Sequence, residues 1–325
     1  AVSSQYLGKQ KPENACVAAK QLMYVTFAFS ALIMLVCLLL RDFILTHIFG
    51  SIDPPVLHNA QIYFSISAYS YPFLALYNAG AALFRSMGNS RVSMFTSLIM
   101  NLVNIGGNAL LIFRFGMGVR GAAIASLFSR LIGCVAMLVL LRRPENPIHI
   151  EQLFAFEFRP QMIRNILSIG IPTGLENGIF QIGKVLVQGL IVSLGTTAIA
   201  ANAVANNISS MEVIPGAAVV LALIAVVGQC VGAEDYKQAR QYTVKLLKIT
   251  YAAMIVLNAL ILIFCRPLVS FYRMSPDTTA LALELLIIHG LGAMVIWPLS
   301  FTLPNSLRAA GDAKFTMTVS IISMW

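Results

Sequence analysis

The chain has 325 residues, 58% of them hydrophobic and only 11% charged, with a mean hydropathy of +0.81. Water-soluble domains carry about 25% charge, so that class is excluded. The 22 Lys and Arg against 13 Asp and Glu lie in short stretches between apolar runs. They therefore mark topology in a lipid bilayer and do not form a nucleic-acid-binding face.

The chain opens at Ala1 with no initiator Met or signal peptide and stops at Trp325 inside an apolar run. Both ends read as cut. Residues 1–8 read as the tail of an earlier helix. Eight complete spans follow, over 19–47, 56–84, 90–114, 120–142, 162–194, 197–230, 241–268 and 277–304, and a ninth starts near 315. The runs lack the period-two alternation of barrel strands, which leaves an all-α integral membrane bundle.

Lys9, Lys11, Lys20, Arg85, Arg91, Arg142, Arg143, Arg159, Arg164, Lys237, Arg240, Lys245, Lys248, Arg308 and Lys314 fall in one set of alternate loops. Arg41, Arg114, Arg120, Arg266 and Arg273 fall in the other. The richer set is cytoplasmic by the positive-inside rule, which places residue 1 and the polar stretch 143–161 on that side. With three prolines, several charges and a short amphipathic piece over 150–158, 143–161 reads as a linker between two halves. The five cysteines have no paired spacing for metal or redox work.

The halves repeat. Gln5-Tyr6-Leu7-Gly8, with Ala15 after it, recurs as Gln229-Cys230-Val231-Gly232 with Ala239. The segment 83–99 recurs as 306–322, matching Arg85 to Arg308, Gly88 to Gly311, Asn89 to Asp312, Arg91 to Lys314 and Met94 to Met317. The two matches share almost the same offset and fall in loops on one side, which implies a parallel two-lobe repeat of six helices each. On that count residues 1–142 are an N-terminal lobe lacking helix 1 and most of helix 2. Residues 162–325 are a C-terminal lobe lacking most of helix 11 and helix 12.

The Arg-x-x-Gly-Asn/Asp loop, the Asn-rich helix 101–108, Gly118-Val-Arg-Gly-Ala-Ala-Ile-Ala125, Gly170-Ile-Pro-Thr-Gly174, Gly195-Thr-Thr-Ala-Ile-Ala-Ala-Asn202 and Gly228-Gln-Cys-Val-Gly232 together resemble the multidrug and toxic compound extrusion (MATE) transporters. The resemblance runs in family order along essentially the whole chain. It implies two six-helix lobes around a central cavity and export of organic, often cationic compounds in exchange for Na⁺ or H⁺. The sequence departs from the family's sodium-coupled pattern at two places. Phe180 stands where a carboxylate is expected about two turns after Pro172, and Trp297 where a second is expected before the cytoplasmic Arg. The first-lobe acid that some relatives use on helix 1 would precede residue 1.

Ionisable residues within a span are functional candidates because burying them in lipid is costly. Glu176 and Lys184 lie in span 162–194, where Asn177, Gln181, Lys184 and Gln188 share a stripe about 60° wide. They suit binding of cargo or ion, with Glu176 attracting a cation and Lys184 repelling or replacing it. A direct Glu176–Lys184 pair would have to bridge about 12 Å along the axis. Asn202, Asn206 and Ser209 form one face of the next span, ending at Glu212-Val-Ile-Pro215. Pro172 and Pro215 are the hinge candidates.

Asn101, Asn104 and Asn108 form the corresponding first-lobe stripe and suit hydrogen bonds between helices. Tyr63, Ser67, Ser70 and Tyr71 offer hydroxyls to an amphiphilic cargo or to ordinary packing. Arg130 needs a partner inside its span, and Glu284 and His289 are further intramembrane candidates.

The expected function is a secondary active exporter of small amphiphilic or cationic organic compounds, coupled to Na⁺ or H⁺, working by alternating access about the linker. It would use no cofactor and no metal, reside as a monomer in the cell membrane, and not be an enzyme. No Gly-Lys-Ser/Thr nucleotide loop is present. A lipid-linked oligosaccharide or lipid flippase of related architecture is the alternative, and would call for more intramembrane cations than Lys184 and Arg130. The chain as given is expected not to transport alone.

Overall fold

The computed structural model describes residues 1–48, 54–150, 155 and 157–324. Among them every regular element is helical. Most of the amphipathic piece expected over 150–158 lies outside the described residues.

By internal contact the chain divides into two compact units, Lys11–Ile163 and Ala1–Gln10 with Arg164–Trp325. Helix α1 (Val2–Gly8) therefore packs with the second unit. The first unit holds α2 (Pro12–Leu39), α3 (Arg41–Phe43) with a π-helical turn over Ile44–Ile48, α4 (Pro54–Tyr69), α5 (Tyr71–Ser86), α6 (Ser90–Asn108) extended by a π-helical Ala109–Arg114, and α7 (Gly118–Leu141). The expected span 56–84 is thus broken at Ser70, and Pro72 stands in the first turn of α5. Arg130 on α7 finds its partner at that break, donating from Nη1 to the Ser70 hydroxyl. Asn104 donates to Ser126 Oγ across α6 and α7 at 3.2 Å, as the glue reading requires, and Asn108 donates to Asn104 Oδ1 at 3.2 Å.

The stretch after α7 is fastened to α2. Fully buried Gln21 donates to the Glu157 carbonyl at 2.5 Å and accepts the Arg159 amide at 3.3 Å, while the Tyr24 hydroxyl donates to the Ala155 carbonyl at 3.1 Å.

The second unit continues with α8 (Pro160–Ser193), α9 (Thr196–Glu212), α10 (Ile214–Gly232), α11 (Tyr236–Ile263), α12 (Cys265–Ser270), α13 (Pro276–Val295), a π-helical turn over Pro298–Thr302, α14 (Leu303–Ala310) and α15 (Ala313–Met324). Local chemistry sets the starts. Asp235 caps α11 by accepting the Gln238 amide at 2.8 Å, and Ser275 caps α13 by accepting the Thr278 amide at 3.4 Å ahead of Pro276 and Asp277. Val204, Ile208, Val269 and Leu286 form one buried core among α9, α12 and α13, and Leu223, Val227 and Ala309 form another around α10.

The expected span 197–230 is two helices, with the break at Val213 just ahead of Pro215. Proline lacks the N–H that would continue the ladder. Helix α8, by contrast, runs unbroken through Pro172.

The repeat is visible in the backbone. Gly88 and Gly311 both adopt positive φ (78° and 105°) at the ends of α5 and α14. The amide just after each glycine closes onto the carbonyl five residues earlier, Asn89 to Phe84 and Asp312 to Leu307, both at 3.0 Å. Gln10 and Glu234, equivalent in the repeat, are both left-handed at φ 56° and 61°. The Gln-x-x-Gly motifs meet each other reciprocally where α1 crosses α10. A Cβ on Gly8 would lie 2.0 Å from the Gln229 carbonyl oxygen, and one on Gly232 would lie 2.0 Å from that of Gln5. Only glycine permits that approach.

Among the described residues six helices are long and apolar enough to cross a membrane: Pro12–Leu39, Ser90–Arg114, Gly118–Leu141, Ile214–Gly232, Tyr236–Ile263 and Pro276–Val295. The two other expected spans correspond to the broken α4–α5 pair and to α8, which carries the polar stripe.

Candidate functional site

Three side-chain groups in the second unit hold its buried charge and its aromatic surface. The first is centred on Glu176, which is 7% exposed within α8. Its Oε1 accepts from Arg308 Nη2 at 2.5 Å and from Ser320 Oγ at 2.7 Å. Arg308 Nη1 donates to Asn305 Oδ1 at 3.1 Å, which orients the guanidinium from the preceding turn of α14. Glu176 Oε2 and the Thr173 hydroxyl, one turn earlier on α8, are buried without a hydrogen-bond partner.

This corrects the sequence reading at Arg308. Arg308 counts as a loop cation by topology, yet it sits inside α14, largely buried, and is the ion-pair partner of Glu176. Lys184 is not that partner. Its ammonium lies 4.9 Å from the centroid of the Phe180 ring.

Phe180 opens the second group. It meets Phe301 edge-on at 6.1 Å, and Phe301 stacks on Trp297 at 5.1 Å with 23° between the rings. The two positions where the family's carboxylates are expected, Phe180 and Trp297, are therefore joined through Phe301 into one aromatic cluster with a cation on its edge. Trp297 in turn seats on Gly216, beside the α9–α10 break. A Cβ on Gly216 would fall 2.1 Å from the indole.

The polar stripe of α8 is exposed along Asn177, Gln181, Lys184 and Gln188. Asn177 donates back to the Thr173 carbonyl at 2.8 Å, and Gln188 accepts from Asn202 of α9 at 3.2 Å. The expected face of α9 is divided, with Asn206 exposed and Ser209 buried. In the first unit Tyr63 is exposed and Ser67 half-buried, the Ser67 carbonyl accepting from the Ser70 hydroxyl at 2.6 Å.

The third group was only partly legible in the sequence. Glu212 at the end of α9 is fully buried, and its Oε2 lies 2.5 Å from His289 Nδ1 on α13. Asn258 of α11, also fully buried, donates to the Glu212 carbonyl at 3.3 Å and to the Met254 carbonyl at 2.8 Å. Each residue is a polar group inside an apolar span, but nothing local in the sequence joins three separate helices. Glu284 is exposed on α13. Among the described residues no cluster of three His, Cys, Asp or Glu could hold a metal ion.

Known proteins share this architecture. A Vibrio cholerae MATE transporter, VcmN, superposes with a TM-score of 0.90 at 20% identity, over 100% of this chain and 73% of that one. The outward-facing structure of a multidrug resistance MATE family transporter gives 0.90 at 17% identity, over 98% and 71%. In sequence, the Bacillus subtilis uncharacterized transporter YisQ is 27% identical over 100% of this chain and 71% of its own length. The Thermotoga maritima probable multidrug resistance protein NorM is 24% identical over 87% and 61%. The chain thus spans about three-fifths to three-quarters of its relatives' lengths. The model of the MatE family matches residues 1–110 and 172–325, and the chain belongs to that family.

Proposed function

We propose that this protein is a multidrug exporter: a secondary active antiporter that expels small amphiphilic or cationic organic compounds against an inward flow of Na⁺ or H⁺. The single observation that carries the reading is the aromatic cluster of Phe180, Phe301 and Trp297 with the Lys184 ammonium over one ring. An aromatic face that attracts a lysine ammonium attracts an organic cation by the same quadrupole. Lys184 is then a built-in competitor that gives way to cargo and returns when cargo leaves.

Several relatives are named probable multidrug resistance proteins, which supports the same cargo class. They favour it over the lipid-linked oligosaccharide or lipid flippase.

In this reading Glu176 supplies the negative charge that cargo or coupling ion competes for, with Arg308 as its resting counter-ion. Asn177, Gln181, Gln188, Asn202 and Asn206 are polar contacts along α8 and α9, and Tyr63 and Ser67 are candidate cargo contacts within the first unit taken by itself. Alternating access bends the break ahead of Pro215, and Pro172 is a second, softer point. The protein works as a monomer in the cell membrane, with residue 1 and 143–161 on the cytoplasmic side.

Efflux of a fluorescent organic cation from cells or vesicles containing the protein, under imposed Na⁺ and then H⁺ gradients, tests this. Gradient-dependent efflux is expected, and Phe180→Ala is expected to lower it at least about tenfold, as loss of a 1.4 kcal/mol contact would. Absence of gradient-dependent efflux for every cation tried would overturn the proposal.

A further inference from the structure

We propose that Glu212, His289 and Asn258 form a proton-binding site inside the membrane, separate from Glu176 and from the aromatic cluster, with His289 as its port. Glu212 is fully buried, yet its Oε1 has no hydrogen-bond partner, and neither does Oδ1 of fully buried Asn258. Both orphans are acceptors. Buried acceptors are normally satisfied, and leaving one unpaired costs about 1–3 kcal/mol. Two on adjoining residues call for something positive or protic.

The neighbouring chemistry selects a proton. A hard metal cation seeks a shell of oxygen ligands, whereas here one carboxylate oxygen is already engaged by an imidazole nitrogen at 2.5 Å. Histidine is the side chain built to exchange a proton near neutral pH. Its side chain is 46% exposed while that of Glu212 is 0% exposed, so a proton reaches the carboxylate through the ring. It adds to Nε2 of a neutral imidazole, giving an imidazolium whose Nδ1–H faces Glu212 Oε2. Passing the Nδ1 proton to Oε2 leaves a neutral imidazole protonated at Nε2 beside a neutral carboxylic acid. Charge and protons balance at each step.

The position gives the proton leverage. Glu212 is the last residue of α9, directly before the break at Val213, and its carbonyl is held by Asn258. Gly290, next to His289, leaves α13 close enough that a Cβ there would lie 3.5 Å from Glu212 Oε1. The site thus ties the break in α9–α10 to both α11 and α13.

Other ionisable groups on these helices stand apart. Tyr251 of α11 donates to the Val295 carbonyl, Glu284 of α13 is exposed, and Asp277 lies in the first turn of that helix. Lys248, the nearest cation along α11, is about 15 Å along the axis from Asn258. Cys230 sits near the far end of α10, by Gln238, and α9 contributes only Glu212.

Infrared difference spectroscopy of the purified protein in lipid nanodiscs, with isotope-labelled histidine, tests the site without any transport. A step from about pH 8 to about pH 5 spans histidine exchange. It should change a histidine ring band and a buried carboxyl band together, and Glu212→Gln or His289→Gln should each remove both changes. The proposal is overturned if wild type shows neither band, or if each change survives substitution of the other residue. It is equally overturned if a Na⁺ step at constant pH produces the same bands. Should Glu212→Gln fail to fold, the labelled wild type and the half-exposed His289→Gln still decide. The outcome is independent of the exporter reading, which the efflux measurement tests by itself.

Discussion

Among the described residues the second unit buries two carboxylates, and each faces a different kind of partner. Glu176 lies on a helix that continues through Pro172 and faces a guanidinium, which stays charged at any pH the protein meets. Glu212 lies at a helix break and faces an imidazole, whose charge can come and go. The contrast separates a pair that can exchange one cation for another from a pair that can exchange a proton. Both have one satisfied and one unsatisfied oxygen, so the difference between them rests on the partner.

The largest effect expected from breaking this contrast is at Arg308. Replacing it with Ala leaves a buried carboxylate uncompensated, a loss of about 3–5 kcal/mol. Thermal melting in nanodiscs should show it, and Glu176→Gln combined with Arg308→Ala should recover much of it. A double variant no more stable than Arg308→Ala alone would mean the two side chains do not act as a pair.

At the second carboxylate the loss is smaller. His289→Ala removes a half-exposed partner, and about 1–3 kcal/mol is expected from the hydrogen bond left unmade. Melting curves for His289→Ala and Arg308→Ala sharpen the comparison. The deficit of His289→Ala should be clearly smaller than that of Arg308→Ala at the same pH, because a half-exposed partner leaves less unpaired on removal than a largely buried one. Equal deficits would remove the distinction.

Much of this arrangement is legible in the sequence, and what is not has identifiable physical causes. Hydropathy and the two repeat matches find the helices, and the repeat pairs Gly88 with Gly311, which the structure shows to be left-handed alike. Glu176 stands out because a carboxylate in an apolar span must be explained. Its partner does not, because counting cations by side assigns Arg308 to a loop. Its place three residues before a helix-ending glycine shows that it lies inside the final turn. The Glu212–His289 pair joins positions on separate helices, which no local periodicity encodes. The breaks at Ser70 and Val213 precede prolines that the hydropathy window averages away. Phe180 and Trp297 read singly as lost carboxylates, and only their common neighbour Phe301 makes them one surface.

That surface supports the next prediction in size. Gly216→Ala places a methyl group where the Trp297 ring packs, and overpacking of this kind costs about 1–3 kcal/mol. The displaced indole should also disturb the stack on Phe301. Fluorescence of Trp297, read in a Trp325→Phe background, should shift in the Gly216→Ala variant. An unchanged spectrum would show that the ring finds room elsewhere.

The smallest effect on stability is expected at Lys184, and it separates a structural role from a transport role. An exposed cation–π contact contributes about 0.5–1 kcal/mol, and Lys184 is exposed on α8, so Lys184→Met should melt within about that margin of wild type. If the ammonium only braces Phe180, transport should fall no further than stability does. If it competes with cargo for the ring, its removal should tighten binding of an organic cation and slow its release. Binding of a fluorescent cation, measured alongside efflux, reads both quantities. Tighter binding with slower efflux supports a competing lysine, while unchanged binding limits Lys184 to packing and leaves the role of the cation that gives way to Arg308, the ion-pair partner of Glu176.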